Sequence, residues 1–174
     1  MAETGRVNAL EVALNNELKE RQFYLKHAKR TKHPFGKLMF QKIADEELEH
    51  YERLQEIHKK WVKGERWPET LPLEVRGSNV KNILNGIIRK IDETREGDDN
   101  DLKAVRIAID FEAKGSRYYA ELSAMVDHPK EKQFFTLLST IEHEHYLSLK
   151  DTEEYLTDPA SWYRKMEHHS LDGG

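Results

Sequence analysis

The sequence predicts an all-α fold, a four-helix bundle with one long crossover between its second and third helices and a short C-terminal helix. Three observations lead there. Apolar residues recur at helical spacing over four long segments, the chain repeats itself at a fixed interval, and turn-forming residues are scarce, with 9 Gly and 5 Pro in 174 residues. Hydrophobic residues make up 37% and charged residues 34%, the balance of long amphipathic helices with solvated outer faces rather than of a turn-rich sheet.

The first helix is expected over about residues 7–29, with Leu10, Ala13, Leu14, Tyr24, Leu25 and Ala28 along one stripe. His33-Pro34 ends it, because the residue before a proline is pushed out of the helical region. The second covers about 35–61 and carries Phe40, Ile43, Ala44, Tyr51 and Leu54. The chain then changes character. Trp67-Pro68 and Leu71-Pro72 mark irregular backbone, Asn79 to Ile91 has the spacing of a short amphipathic helix, and the run from Glu96 to Asn100 supplies a turn and a helix cap. The third helix is expected at about 100–125, with Val105, Ala108, Ile109, Tyr119 and Leu122, and stops before His128-Pro129. The fourth covers about 130–155, with Phe135, Leu138, Ile141 and Leu149. Asp158-Pro159 then starts a short helix through Trp162 and Met166. Residues 1–157 are thus expected to form the bundle, from hairpins at about 7–61 and 100–155 and a crossover at 62–99, with 158–174 as a tail.

The repeat has an interval of 95. Glu17 maps to Glu112, Tyr24 to Tyr119, His33-Pro34 to His128-Pro129, Phe40 to Phe135, Glu47 to Glu142, Glu49-His50-Tyr51 to Glu144-His145-Tyr146 and Leu54 to Leu149. Gap-free register of this length identifies a duplicated helix hairpin.

Composition narrows the chemistry. With 0 Cys there is no disulfide framework, Cys nucleophile, thiolate zinc site or rubredoxin-type iron, so metal chemistry must use carboxylates and the 9 histidines. A net charge of −4 with both signs interspersed leaves no footprint for nucleic acid. Apolar runs are too short to span a bilayer, and the first residues hold no apolar signal core, so a cytoplasmic protein is expected.

Glu17 and Glu47 each stand 15 residues from Lys32 at the first turn, and Glu112 and Glu142 each 15 from Asp127 at the second. At 1.5 Å per residue, antiparallel packing sets each pair at one height, about 22 Å from its turn. His50 and His145 follow Glu47 and Glu142 by three residues, on the same helix face. All four acids interrupt apolar stripes, where an unpaired carboxylate costs several kcal/mol. A lone Glu-x-x-His is weak evidence in an acidic helical chain; two in repeat register, each matched to a third Glu, are not. Two divalent cations would neutralise the four acids, and oxygen with imidazole suits iron or manganese.

With this motif, the chain resembles the rubrerythrin branch of the ferritin-like superfamily. The likeness covers nearly its whole length, including Trp162-Tyr163 and Ser170-Leu171-Asp172-Gly173. It implies two iron ions, with manganese or a mixed pair open, bridged by Glu47 and Glu142. Glu17 and Glu112 would be terminal carboxylates, with His50 and His145 one on each metal. Tyr24 and Tyr119 would hydrogen-bond the carboxylates, or else simply pack the core. Two departures stand out. Full-length relatives carry a cysteine-ligated rubredoxin domain, which this sequence lacks. They also commonly have a second Glu on the third helix, where Gly115 stands here; Glu20 on the first helix is its mirror image, either an extra or switching ligand or a solvated acid beside Lys19. Gly115 and Ser116 could leave room for a small oxidant. His143 points away from the ligand face, and His27, His33, His58 and His128 suit surface or turn positions. His168-His169 suggest adventitious metal binding at most, while Trp61, Trp67 and Trp162 suit packing of crossover and tail.

The resemblance implies an oxidoreductase that reduces hydrogen peroxide or dioxygen, taking electrons from a separate donor such as rubredoxin or a reductase. A homodimer is expected, with no nucleic-acid or membrane partner. A ferroxidase or iron-storage protein of ferritin type, a manganese catalase and a non-catalytic metal-binding helical module remain as alternatives.

Overall fold

A computed structural model describes residues 3–63 and 99–171. Every element among them is a helix: α1 Glu3–Arg30, α2 Pro34–Val62, α3 Asp99–Met125, α4 Pro129–Thr157 and α5 Pro159–Leu171. None is long and apolar enough to cross a membrane. The crossover helix expected at Asn79 to Ile91, the packing role of Trp67 and the last residues of the tail motif lie outside the described residues, as do the side chains of Trp61, His168 and His169.

The two hairpins form where the prolines dictate. Pro34 and Pro129 each begin a helix, where a missing N–H is no loss and the fixed φ suits the first turn. His128, with φ −74° and ψ 124°, is the extended residue before it. Three residues, 31–33, separate α1 from α2, so the helices fold back antiparallel, and α3 and α4 pair in the same way. The turn of the first hairpin docks on the start of α3. Thr31 Oγ1 donates to Asp101 at 2.7 Å and accepts from the His33 N–H at 3.2 Å, and Arg30 donates to the Asn100 carbonyl at 2.8 Å. The hairpins therefore lie head to tail, with α1 antiparallel to α3.

This arrangement divides the core in two. One cluster joins Tyr24, Ala28, Met39 and Phe40 of the first hairpin to Val105, Ala108 and Leu149 of the second. The other joins Leu10, Ala13 and Leu54 to Tyr119, Leu122, Phe135 and Leu138. Repeat-related aromatic pairs stack in each, Tyr24 on Phe40 at 6.1 Å and Tyr119 on Phe135 at 6.4 Å.

The C-terminal helix is longer than its expected end near Met166, reaching Leu171. Asp158 ends α4 and starts α5: its N–H donates to the Glu154 carbonyl, and its carboxylate accepts the Ser161 N–H at 2.9 Å. Trp162 anchors α5 as expected, buried edge-on to Tyr155 with its indole N–H on Asp151 at 2.9 Å.

Candidate metal centre

Between the two core clusters lies a layer of acids and imidazoles. Glu17 comes from α1, Glu47 and His50 from α2, Glu112 from α3, Glu142 and His145 from α4, and none is more than 1% exposed. They form two sets whose ligand atoms lie within 4.8 Å of one another: Glu17, Glu47, His50 and Glu142, and Glu47, Glu112, Glu142 and His145. Glu47 and Glu142 belong to both.

The imidazoles turn their Nδ1 atoms into this layer. His50 Nδ1 is 3.2 Å from oxygens of Glu17, Glu47 and Glu142, and His145 Nδ1 is 3.2 Å from Glu47 and 3.4 Å from Glu112. One N–H cannot serve so many acceptors. Oε1 of Glu47, Oε2 of Glu112, both oxygens of Glu142 and Nδ1 of His145 are buried with no hydrogen-bond partner among the described residues. Convergent, orphaned oxygen and nitrogen donors fit divalent cations, which would satisfy them together.

Without metal, protons must balance the charge. Burial, reinforced by Glu47, raises the Glu17 carboxyl from its usual 4.5 to about 8. Burial and the neighbouring Glu47 and Glu112 likewise push Glu142 well up. Burial would also raise Glu47, but the two imidazoles outweigh it and hold that carboxyl well below the usual range. For His50 and His145, burial disfavours the charged form, yet the surrounding carboxylates prevail and hold both imidazoles protonated well above 6.5. Bound cations would take the place of these protons.

The phenols bridge the hairpins. Tyr24 of α1 donates to Glu112 of α3, and Tyr119 of α3 donates to Glu17 of α1. Burial and the adjacent carboxylates keep both phenols protonated well above 10.

Sequence reasoning did not single out Glu46. Its carboxylate meets His145 Nε2 at 2.7 Å, fixing which ring nitrogen faces the acids. The repeat concealed it, because the matching position holds Ile141; His50 Nε2 correspondingly has no hydrogen-bond partner among the described residues. Gly115 packs closely against the layer. A Cβ on Gly115 would lie 3.2 Å from Glu142 Oε2, so the space freed on the metal side is filled by Glu142. Ser116 is engaged too, donating to the Ser139 carbonyl at 2.9 Å while Ser139 donates to the Ser116 carbonyl at 2.8 Å. His143 is exposed and stacks on Tyr146, away from the layer. His128 is exposed, whereas His33 is buried in its turn against Tyr155, and His27 packs between Phe23 and Phe40.

Glu20 belongs to neither set. It lies partly exposed in a cleft of about 510 Å³ between α1 and α3, where burial, then Glu47 and Glu112, push its carboxyl well above the usual range. The cleft is lined by four repeat-related pairs: Asn16 with Phe111, Lys19 with Lys114, Glu20 with Gly115 and Phe23 with Tyr118.

The family model described as Rubrerythrin matches residues 8–153. No curated protein and no solved structure matched the chain.

Proposed function

Because this chain belongs to the rubrerythrin family, we propose that it is a non-haem di-iron oxidoreductase that reduces hydrogen peroxide or dioxygen with electrons from a separate donor protein. The observation that carries this reading is the pair of four-residue sets sharing Glu47 and Glu142. Glu17 and His50 would hold one ion and Glu112 and His145 the other, with Glu47 and Glu142 between them.

When bound, a reduced metal pair supplies two electrons to a single O–O bond. The chain's own residues provide the setting. Glu46 holds the His145 ring so that Nδ1 faces the acids. Tyr24 and Tyr119 orient Glu112 and Glu17, and each keeps a phenolic proton at the edge of the layer. The aromatic pairs on either side exclude water from both ends of the layer. Glu20 stands in the cleft beside the layer and is the acid available to join the ligand set. Unchanged metal content and spectra in Glu20→Ala would remove that ligand role.

The test is anaerobic iron loading followed by stopped-flow mixing. About two irons per chain are expected, with the reduced protein reoxidised by peroxide or dioxygen faster than free ferrous iron. Stoichiometric binding without faster reoxidation would overturn the oxidoreductase reading in favour of a non-catalytic metal-binding module.

A further inference from the structure

We propose that the cleft between α1 and α3 binds organic hydroperoxides, with the apolar group against Phe23 and Phe111 and the O–O bond presented to the carboxylate layer beside Gly115. This inference rests on the peroxide-reducing reading above and names a substrate class for it.

The cleft's volume of about 510 Å³ falls in the range of small-molecule sites. Hydrogen peroxide is little larger than water, whose share of liquid volume is about 30 Å³, and would use only a small part of that space.

Because α1 and α3 run antiparallel, the cleft has unlike ends. At one, Phe23 and Phe111 meet edge to face, with ring centroids 5.2 Å apart, a surface suited to an aryl or branched alkyl group. At the other end stand Asn16 and Tyr118. Glu20 and Gly115 line its middle, where Gly115 packs against Glu142 of the acid layer. The missing side chain at Gly115 puts the cleft wall in contact with the Glu142 carboxylate, 3.2 Å from where a Cβ would be. A bulkier residue would thicken that wall. A molecule with an apolar body and a reactive polar end, lying along the cleft, would therefore have its polar end at the thinnest point of the wall.

The chemistry balances as ROOH plus two electrons and two protons giving ROH and water. The O–O bond breaks, one proton goes to the alkoxide oxygen and one to the departing hydroxide. The electrons come from the reduced metal pair, which a one-electron donor protein replenishes.

The experiment separates binding from turnover. Cumyl alcohol, the unreactive product of cumene hydroperoxide reduction, is titrated into metal-free protein and followed by ligand-observed NMR. Saturable binding is expected with Kd about 1 mM or tighter, weakened at least fivefold in Phe111→Ala. Stopped-flow reoxidation of the iron-loaded, reduced wild type then compares cumene hydroperoxide with hydrogen peroxide. The ratio of the two rates should fall at least fivefold in Phe111→Ala. Absence of alcohol binding to wild type, or a rate ratio untouched by Phe111→Ala, would overturn this inference while leaving peroxide reduction intact. Alcohol binding without reaction toward either peroxide would overturn the peroxide reading, and the hydroperoxide assignment with it.

Discussion

The two hairpins are near copies in the metal layer and unlike around it. Glu17 and Glu112, Glu47 and Glu142, His50 and His145, and the tyrosines that reach across between hairpins all obey one pseudo-twofold relation. One step away the relation fails. Glu46 supports His145 where Ile141 offers His50 nothing, Glu20 has Gly115 as its repeat counterpart, and Ser116 and Ser139 tie the second hairpin together where the first has Arg21 and Ala44. Duplication thus explains the shared acids and imidazoles, and divergence around them makes the two four-residue sets inequivalent.

The comparison breaks most sharply at the shared acids. Glu47→Gln and Glu142→Gln are expected to weaken binding at both positions by more than about a hundredfold, whereas Glu17→Gln and Glu112→Gln should spare one of them. Equilibrium dialysis with ferrous or manganous ion distinguishes two lost sites from one.

Next in size is the pH dependence of the metal-free protein. Glu17 is raised from 4.5 to about 8, so between those values the folded state holds a proton that the unfolded state has released. The raised His50 and His145 act in the same sense above 6.5. Stability of the metal-free form should therefore fall as pH rises from about 6 to 8, lowering Tm by about 5 °C or more. Added divalent metal should stabilise the protein more at pH 8 than at pH 6, because fewer protons must be displaced. Scanning calorimetry at both pH values, with and without metal, checks the sign.

Glu46→Ala should cost about 10- to 100-fold in affinity at the His145 position only. Resolved stepwise binding isotherms would show one site shifted, and equal shifts of both would contradict the inequivalence. The smallest effect is expected for Ser139→Ala, which removes one bond of the reciprocal pair. It should destabilise by about 1 kcal/mol, or roughly 2–4 °C in Tm, without altering metal content.

Much of this was legible along the chain because one dimension carries it. Helical spacing placed Glu17, Glu47, Glu112 and Glu142 in apolar stripes, and the prolines after His33 and His128 set the turns from which their common height follows. Glu46 escaped for the complementary reason. Its partner is on another helix of the other hairpin, and its repeat counterpart is apolar, so neither spacing nor duplication pointed to it. The side of Gly115 that Glu142 fills was hidden likewise, since it depends on how closely α3 and α4 approach, whereas the other side lines the cleft.

The sequence by itself determined the helices, the duplicated hairpin and the six residues of the buried layer, because rise per residue and side-chain period set height and face along each helix. Only the tertiary structure decided how those helices are rotated against one another. That rotation brings Glu46 to His145, sends each tyrosine to the opposite hairpin, and leaves a cleft between α1 and α3 lined by Glu20 and Gly115. Spacing fixes position along an axis, whereas contact across the bundle depends on packing between segments that the sequence does not place side by side.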